Sequence, residues 1–246
     1  MAKQSGLGDN LYVGGYDLSG DIGSLGAIHG GSDTQDVTGI DKSGKERLGL
    51  VRDGDMEFLS FFNPSVDRAH DRFENLPLTD QICSYLRGTA LGGQCAHLVA
   101  KQLNYDATRA ENGALTFKIN MAANGFGLEW ARQLTAGKRT DSGATNGAGV
   151  DFGAASAFGF QAYLQVFAFT GTSATVKVQS SIDDGGGDPY ADVAGGAFTV
   201  VTGITAERIA TAAISIEQWL RVVTTGTFSN LIFAVGVARN LTAVVF

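Results

Sequence analysis

The stretch Leu115-Thr116-Phe117-Lys118-Ile119-Asn120-Met121 alternates apolar and polar side chains without a break. Successive side chains of a strand point to opposite faces, so this pattern predicts a β-strand with one face in a core and one face in water. Upstream, Met56, Phe58, Ser60 and Phe62 alternate with Glu57, Leu59 and Phe61. Both sets are largely apolar, which predicts a strand buried on both sides. Gln81 to Arg87 and Gln94 to Tyr105 fit helix or strand by pattern, and we read both as strands. One segment is different. Ser65 to Asn75 follows Pro64 and places Val66, Ala69 and Phe73 at i, i+3 and i+7, which predicts a short amphipathic helix with Ser65 as N-cap, ended by Pro77.

Downstream the pattern is almost wholly that of strands. Phe160 to Thr170 is rich in aromatic and β-branched residues, Gly171-Thr172-Ser173 reads as a turn, and Thr175 to Gln179 alternates. Asp183 to Pro189 reads as a loop, and Phe198–Thr202, Arg208–Ile214, Trp219–Thr225 and Leu231–Arg239 follow at strand-like intervals. Short strands at regular spacing predict an antiparallel β-sandwich. The tail Leu241-Thr242-Ala243-Val244-Val245-Phe246 is apolar to its last residue, which predicts pairing or docking.

Charge divides the 246 residues unevenly. Residues 1–145 carry 18 acidic and 14 basic side chains, residues 146–246 only 7 and 4. The small polar stretch 141–149 at the seam reads as a linker. The predicted organisation is a first β-sandwich domain over 1–140 with an extended N-terminal arm, a linker over 141–149, and a second antiparallel β-sandwich over 150–246. Thirty-four glycines and three prolines suit many strands, tight turns and bulges.

The formal charge of −7 disfavours binding to nucleic acid or to an anionic membrane, though DNA can pass an acidic wall without adhering. No run of 18 apolar residues occurs, and Met1 to Gly6 lacks an apolar signal region. Cys83 and Cys95 match no zinc or redox spacing and read as free thiols in a reducing compartment.

No catalytic, cofactor-binding or metal-binding residue can be assigned. His70 lies on the predicted helix beside Asp67, Asp71 and Glu74, without the paired ligands of a metal site, and reads as part of a solvated face. His29 sits in a glycine-rich turn and His97 at a strand start, neither next to a nucleophile. Gly125-Phe126-Gly127 lacks the third glycine of a dinucleotide loop and reads as a turn or bulge. Asp183, Asp184, Asp188 and Asp192 have the chemistry to hold Ca²⁺, but the loop lacks a closing bidentate Glu, and a solvated hairpin loop is the reading. Most Phe falls in strand patterns and reads as core, leaving Tyr163, Tyr190 and Trp219 as candidate surface aromatics.

Asp9-Asn10-Leu11-Tyr12-Val13-Gly14-Gly15-Tyr16-Asp17-Leu18-Ser19-Gly20-Asp21-Ile22 reads as a strand followed by a short polar turn, and it is similar to the start of the family of tail-tube (major tail) proteins of bacteriophages. Asp36 to Ile40, Glu46 to Leu50 and Asp53 to Phe58 resemble the arm that leads into its first long strand. The likeness continues through Ala100 to Asp106 and Gly127 to Trp130, and covers most of residues 1–140.

The resemblance implies a mainly β, non-enzymatic subunit: a tail-tube-like β-sandwich flanked by a short helix. Six copies would form a ring, and stacked rings a tube that conducts DNA during ejection. The implied partners are the chain itself and other tail proteins, and the implied location is the virion tail, assembled in the host cytoplasm. The C-terminal part resembles sandwich modules that decorate phage tails and capsids. The alternatives are a capsid-decoration or minor tail protein, or a carbohydrate-binding sandwich module.

Overall fold

A computed structural model describes residues 5–244. In chain order its elements are β1 (Asn10–Val13), β2 (Tyr16–Asp17), a 3-10 turn at Ser19–Asp21, β3 (Ile22–Asp36), β4 (Arg47–Phe61), α1 (Ala69–Phe73), β5 (Gln81–Leu86), β6 (Gln94–Gln102), β7 (Asp106–Arg109), β8 (Leu115–Ala123) and β9 (Glu129–Gln133). They continue with β10 (Arg139–Asp141), β11 (Thr145–Asn146), β12 (Val150–Asp151), β13 (Phe160–Ser181), β14 (Ala191–Ala197), β15 (Thr205–Thr211) and β16 (Trp219–Arg239). The molecule is mainly β, as the alternation predicts, with a single short helix among the described residues.

Contacts group the chain into two compact units, and not along the charge seam. One unit holds residues 1–20, 82–97 and 130–246; the other holds 21–81 and 98–129. The predicted linker over 141–149 is part of a sheet. Arg139–Asp141, Thr145–Asn146 and Val150–Asp151 pair in turn with Leu231–Phe233, Val223–Thr224 and Trp219–Leu220 of β16. Small polar residues read as a flexible tether, but short strands beside a long one take their hydrogen bonds from the neighbour and need little apolar content of their own.

In the larger unit, β13 and β16 lie antiparallel along their whole lengths, from Phe160↔Arg239 to Ser181↔Trp219. Gly171-Thr172-Ser173 is therefore not a turn. It is a bulged bend inside β13, matched by Gly226 in β16 at φ 121°. An unpaired residue in a ladder kinks and twists the strand without reversing it. β15 extends the sheet beside the first half of β13 and β14 beside the second. Phe160, Leu164 and Val166 from before the bend share one core with Val176 and Val178 from after it, and with Leu220, Val222, Leu231, Phe233 and Val235 of β16. The sandwich is made by bending two long strands rather than by joining many short ones. Of the apolar tail, Leu241 is exposed, while Val245 and Phe246 lie outside the described residues.

In the smaller unit, β4 is flanked by β3 and β8, and β8 also pairs with β6 and β7. Phe117, Ile119 and Met121 of β8 are buried and Lys118 is exposed, which is the predicted one-sided strand. β4 is one-sided too. Met56 and Phe58 are buried, but Glu57 and Leu59 are half-exposed and Phe61 is exposed. A second apolar face does not create a second layer to cover it.

The helix is shorter than predicted, and Ser65 does not cap it. Asp67 adopts φ 61°, which interrupts any helix begun at Ser65, and Arg68 holds the N-cap position without a side-chain cap of its own. The capping acceptor is Asp21, 48 residues away. Its carboxylate accepts from the Ala69 N–H at 3.0 Å, from Arg68 Nη2 at 2.7 Å and from Asn63 Nδ2 at 2.8 Å. Burial works against the charge, yet these bonds hold the Asp21 carboxyl below its ordinary value. Ala69 and Phe73 are buried as predicted, with Phe73 against Phe58 at 5.6 Å between ring centroids, while Val66 faces solvent.

Candidate assembly surface

β3 and β4 form a hairpin of two 15-residue strands. Near its base β4 is held on its other side by β8, from Asp55↔Ala122 to Phe61↔Thr116. Beyond that pairing the ribbon continues alone, and residues 31–36 and 47–53 are exposed on both faces. Among the described residues β3 pairs only with β4, so its outer edge carries open backbone groups.

The base is clamped from within its own unit. Gly30 and Gly54 are cross-strand partners, and Leu128 packs on both. Arg52 Nη2 donates to the Leu128 carbonyl at 3.2 Å, and its Nη1 lies 3.6 Å from the buried carboxylate of Glu129. The tip is organised by polar residues. The Asp36 carboxylate accepts from the Thr38 N–H at 3.0 Å, and Thr38 Oγ1 accepts from the Glu46 N–H at 2.9 Å. The exposed ion pairs there, Lys45 with Asp36 at 3.7 Å and Lys42 with Glu46 at 3.8 Å, add little in water.

Between base and tip the ribbon displays apolar side chains. Leu48 is 53% exposed, Leu50 47% and Val51 73%, with Val37 exposed beside them. A free two-stranded ribbon is marginal in water, and one that also shows leucine and valine is suited to a partner.

The histidines do not converge. His29 lies on β3, exposed, with Nδ1 2.9 Å from Asp55. His70 is half-buried rather than solvated: Nδ1 lies 2.9 Å from the Tyr105 hydroxyl, Nε2 3.0 Å from Glu74, and its ring packs against Phe62 and Phe117. The short helix turns that face inward, which helical spacing alone does not reveal.

His97 is 2% exposed, stacked on Tyr163 at 4.6 Å and with Nδ1 2.9 Å from Ser84 Oγ; its Nε2 has no partner among the described residues. Burial pushes its pKa down to about 3, so the ring is neutral. Beside it Gln165, also buried, donates to Ile82 O at 2.8 Å and to Ser84 Oγ at 3.0 Å and accepts from the Gly15 N–H at 2.6 Å. This polar core ties the β1–β2 turn to β5 and β13. The periodicity of residues 160–170 carries no sign of it.

Asp183 spends its carboxylate on its own loop, accepting from the N–H groups of Gly186 at 3.1 Å, Gly187 at 2.5 Å and Asp188 at 3.1 Å. Asp188 accepts from Ile182, Asp184 from the Tyr190 hydroxyl, and Asp192 from Lys177 and Gln179. The acids brace a hairpin loop and are not gathered around a common point.

Of the three predicted surface aromatics, Tyr163 is fully buried, Trp219 is half-buried, and Tyr190 is covered by the Arg221 guanidinium 4.0 Å from its ring centroid. The exposed indole is Trp130. Cys83 and Cys95 are free and buried, and burial pushes the Cys83 thiol up to about 12. No helix among the described residues is long and apolar enough to cross a membrane.

No family model matches the chain, and no curated protein matches its sequence. Among solved structures it is similar to a chain of the virion of a native gene transfer agent particle, with 17% identity and a TM-score of 0.41 over 52% of this chain and 98% of that one. It is also similar to the Dit protein (gp 19.1) of SPP1, described as a paradigm of the hub adsorption apparatus in Gram-positive infecting phages. Here identity is 11% and the TM-score 0.34, over 94% of this chain and 99% of that one. A chain of the phage p2 baseplate in its activated conformation is similar at 10% identity and a TM-score of 0.32, over 94% and 98% of the two chains. The likeness is to virion and baseplate proteins.

Proposed function

We propose that this chain is a structural subunit of a phage tail, which assembles with copies of itself into rings that stack as a tube. The observation that carries this reading is the β3–β4 ribbon, with its open edge and its exposed Leu48, Leu50 and Val51. An open edge beside exposed apolar side chains is completed most economically by an identical neighbour, because a closed ring leaves no subunit with an unpaired edge. The acidic balance suits a lumen along which DNA slides without adhering. Six copies per ring, assembly in the host cytoplasm and contacts with other tail proteins belong to the same proposal. The protein's work is geometric, and it transforms no substrate.

The test is electron microscopy of the purified full chain beside the triple variant Leu48→Ser, Leu50→Ser, Val51→Ser. The expected result is rings or tubes for the native chain and dispersed particles for the variant, with the melting temperature unchanged. Single rings that never stack would keep the ring and discard the tube. A native chain that stays monomeric at high concentration would overturn the proposal.

A further inference from the structure

The larger unit contains an open cleft of about 280 Å³ whose chemistry the assembly reading does not use. Arg132 on β9 stands opposite Val237 of β16, and Arg239 follows two residues along. Both guanidinium carbons lie 5.4 Å from the centre of the Phe152 ring. Each is also tied to the backbone at that point, Arg132 Nη1 donating to Asp151 O at 2.8 Å and Arg239 Nη2 to Phe152 O at 3.0 Å. Two like charges are thus both held at the Phe152 ring.

The Asp151 carboxylate offsets part of this charge, and its Oδ1 also accepts from the Gly153 N–H at 2.7 Å and from Gln218 at 2.8 Å. Arg239 Nε and Nη1 are buried and have no acceptor among the described residues. Burial, and after it the neighbouring Arg132, lower the Arg239 pKa against the opposing pull of the Asp151 carboxylate. Buried guanidinium donors without acceptors are costly in a folded protein. At the rim stand the Trp130 indole, 58% exposed, with Leu241 and Gln94.

We propose that this cleft binds a carboxylate carried on a ring-shaped body, of which a hexuronic acid is the representative. The carboxylate would accept from Arg132 at the cleft, with the Arg239 guanidinium behind it adding positive charge. The ring would lie against Trp130, and Gln94 offers an amide to its hydroxyls. This inference stands independently of the tail-assembly reading, because no residue of the β3–β4 ribbon takes part.

The test is isothermal titration calorimetry and NMR of the full chain with sodium glucuronate, with glucose and sodium acetate as controls. Saturable binding of glucuronate is expected, weakened by salt, with glucose and acetate each at least tenfold weaker. Arg132→Gln and Trp130→Ala, both near the surface, should each weaken glucuronate about tenfold while melting as the native protein does; Arg239→Gln should abolish binding. Equal binding of glucose would remove the role of the arginines, and equal binding of acetate the role of the indole. Either result, or no binding of glucuronate at all, overturns the proposal.

Discussion

Gly30 and Gly54 face each other across the β3–β4 ladder, and Leu128 sits where their side chains would be. A Cβ at residue 54 would lie 2.7 Å from the Leu128 Cβ and 2.8 Å from the His29 carbonyl, and one at residue 30 would lie 2.9 Å from the Leu128 Cβ. The ribbon is therefore anchored by two absent side chains, and the anchorage is open to direct test. Gly54→Ala is expected to destabilise by about 1–3 kcal/mol, since neither backbone nor a packed leucine yields easily. Leu128→Ala should cost about 2–5 kcal/mol through the cavity it leaves. Chemical denaturation gives both values. Amide hydrogen exchange in residues 31–36 should accelerate in each variant, and unchanged exchange would mean that the clamp does not hold the ribbon.

Asp21 is expected to govern α1. Asp21→Ala removes the acceptor for Ala69 N–H, Arg68 and Asn63 together, a loss of about 2–4 kcal/mol when buried donors are left unsatisfied. Because the folded carboxyl titrates below its ordinary value, its contribution is fully present above about pH 4. It is lost as pH falls through the lowered folded value. Asp21→Asn should therefore flatten the acid limb of a stability-against-pH curve, and a parallel shift of the whole curve would refute the assignment.

His97 should make stability depend on pH in a different window. The unfolded chain takes up a proton on this ring near pH 6.5, whereas the folded chain resists it down to about 3. Between these limits the unfolded state binds more protons, so stability falls as pH drops, with a slope of about 1.4 kcal/mol per pH unit from this residue. Below about 3 the contribution levels off. His97→Phe should remove that slope between pH 6 and pH 4. The difference between the native and variant curves cancels the carboxylates common to both.

The bend of the two long strands rests on Gly226. At φ 121°, and with Ser173 O only 2.4 Å from where a Cβ would stand, Gly226→Ala should cost about 3 kcal/mol through strain and collision. Thermal melting measures it. Thr227→Ala, one residue further along the same ladder, serves as a control for general perturbation.

What the sequence by itself determined is the strand content and the facing of individual strands. Phe117, Ile119 and Met121 are inward and Lys118 is outward because the two-residue period is a local property of extended backbone. The resemblance of residues 9–22, 36–40, 46–50, 53–58, 100–106 and 127–130 to tail-tube proteins is likewise read from short local stretches. Continuity and partnership belong to the tertiary structure alone. Gly171-Thr172-Ser173 reads as a turn, and only the pairing of β13 with β16 on both sides of it shows a bulge instead. Residues 141–149 look like a tether until β16 supplies their hydrogen bonds. Ser65 looks like a cap until Asp21 takes its place from far upstream. The neutral His97 and the paired Arg132 and Arg239 owe their character to segments more than 60 residues apart in the chain. Their environment is a matter of desolvation and Coulomb interaction across space, which no short window of sequence contains.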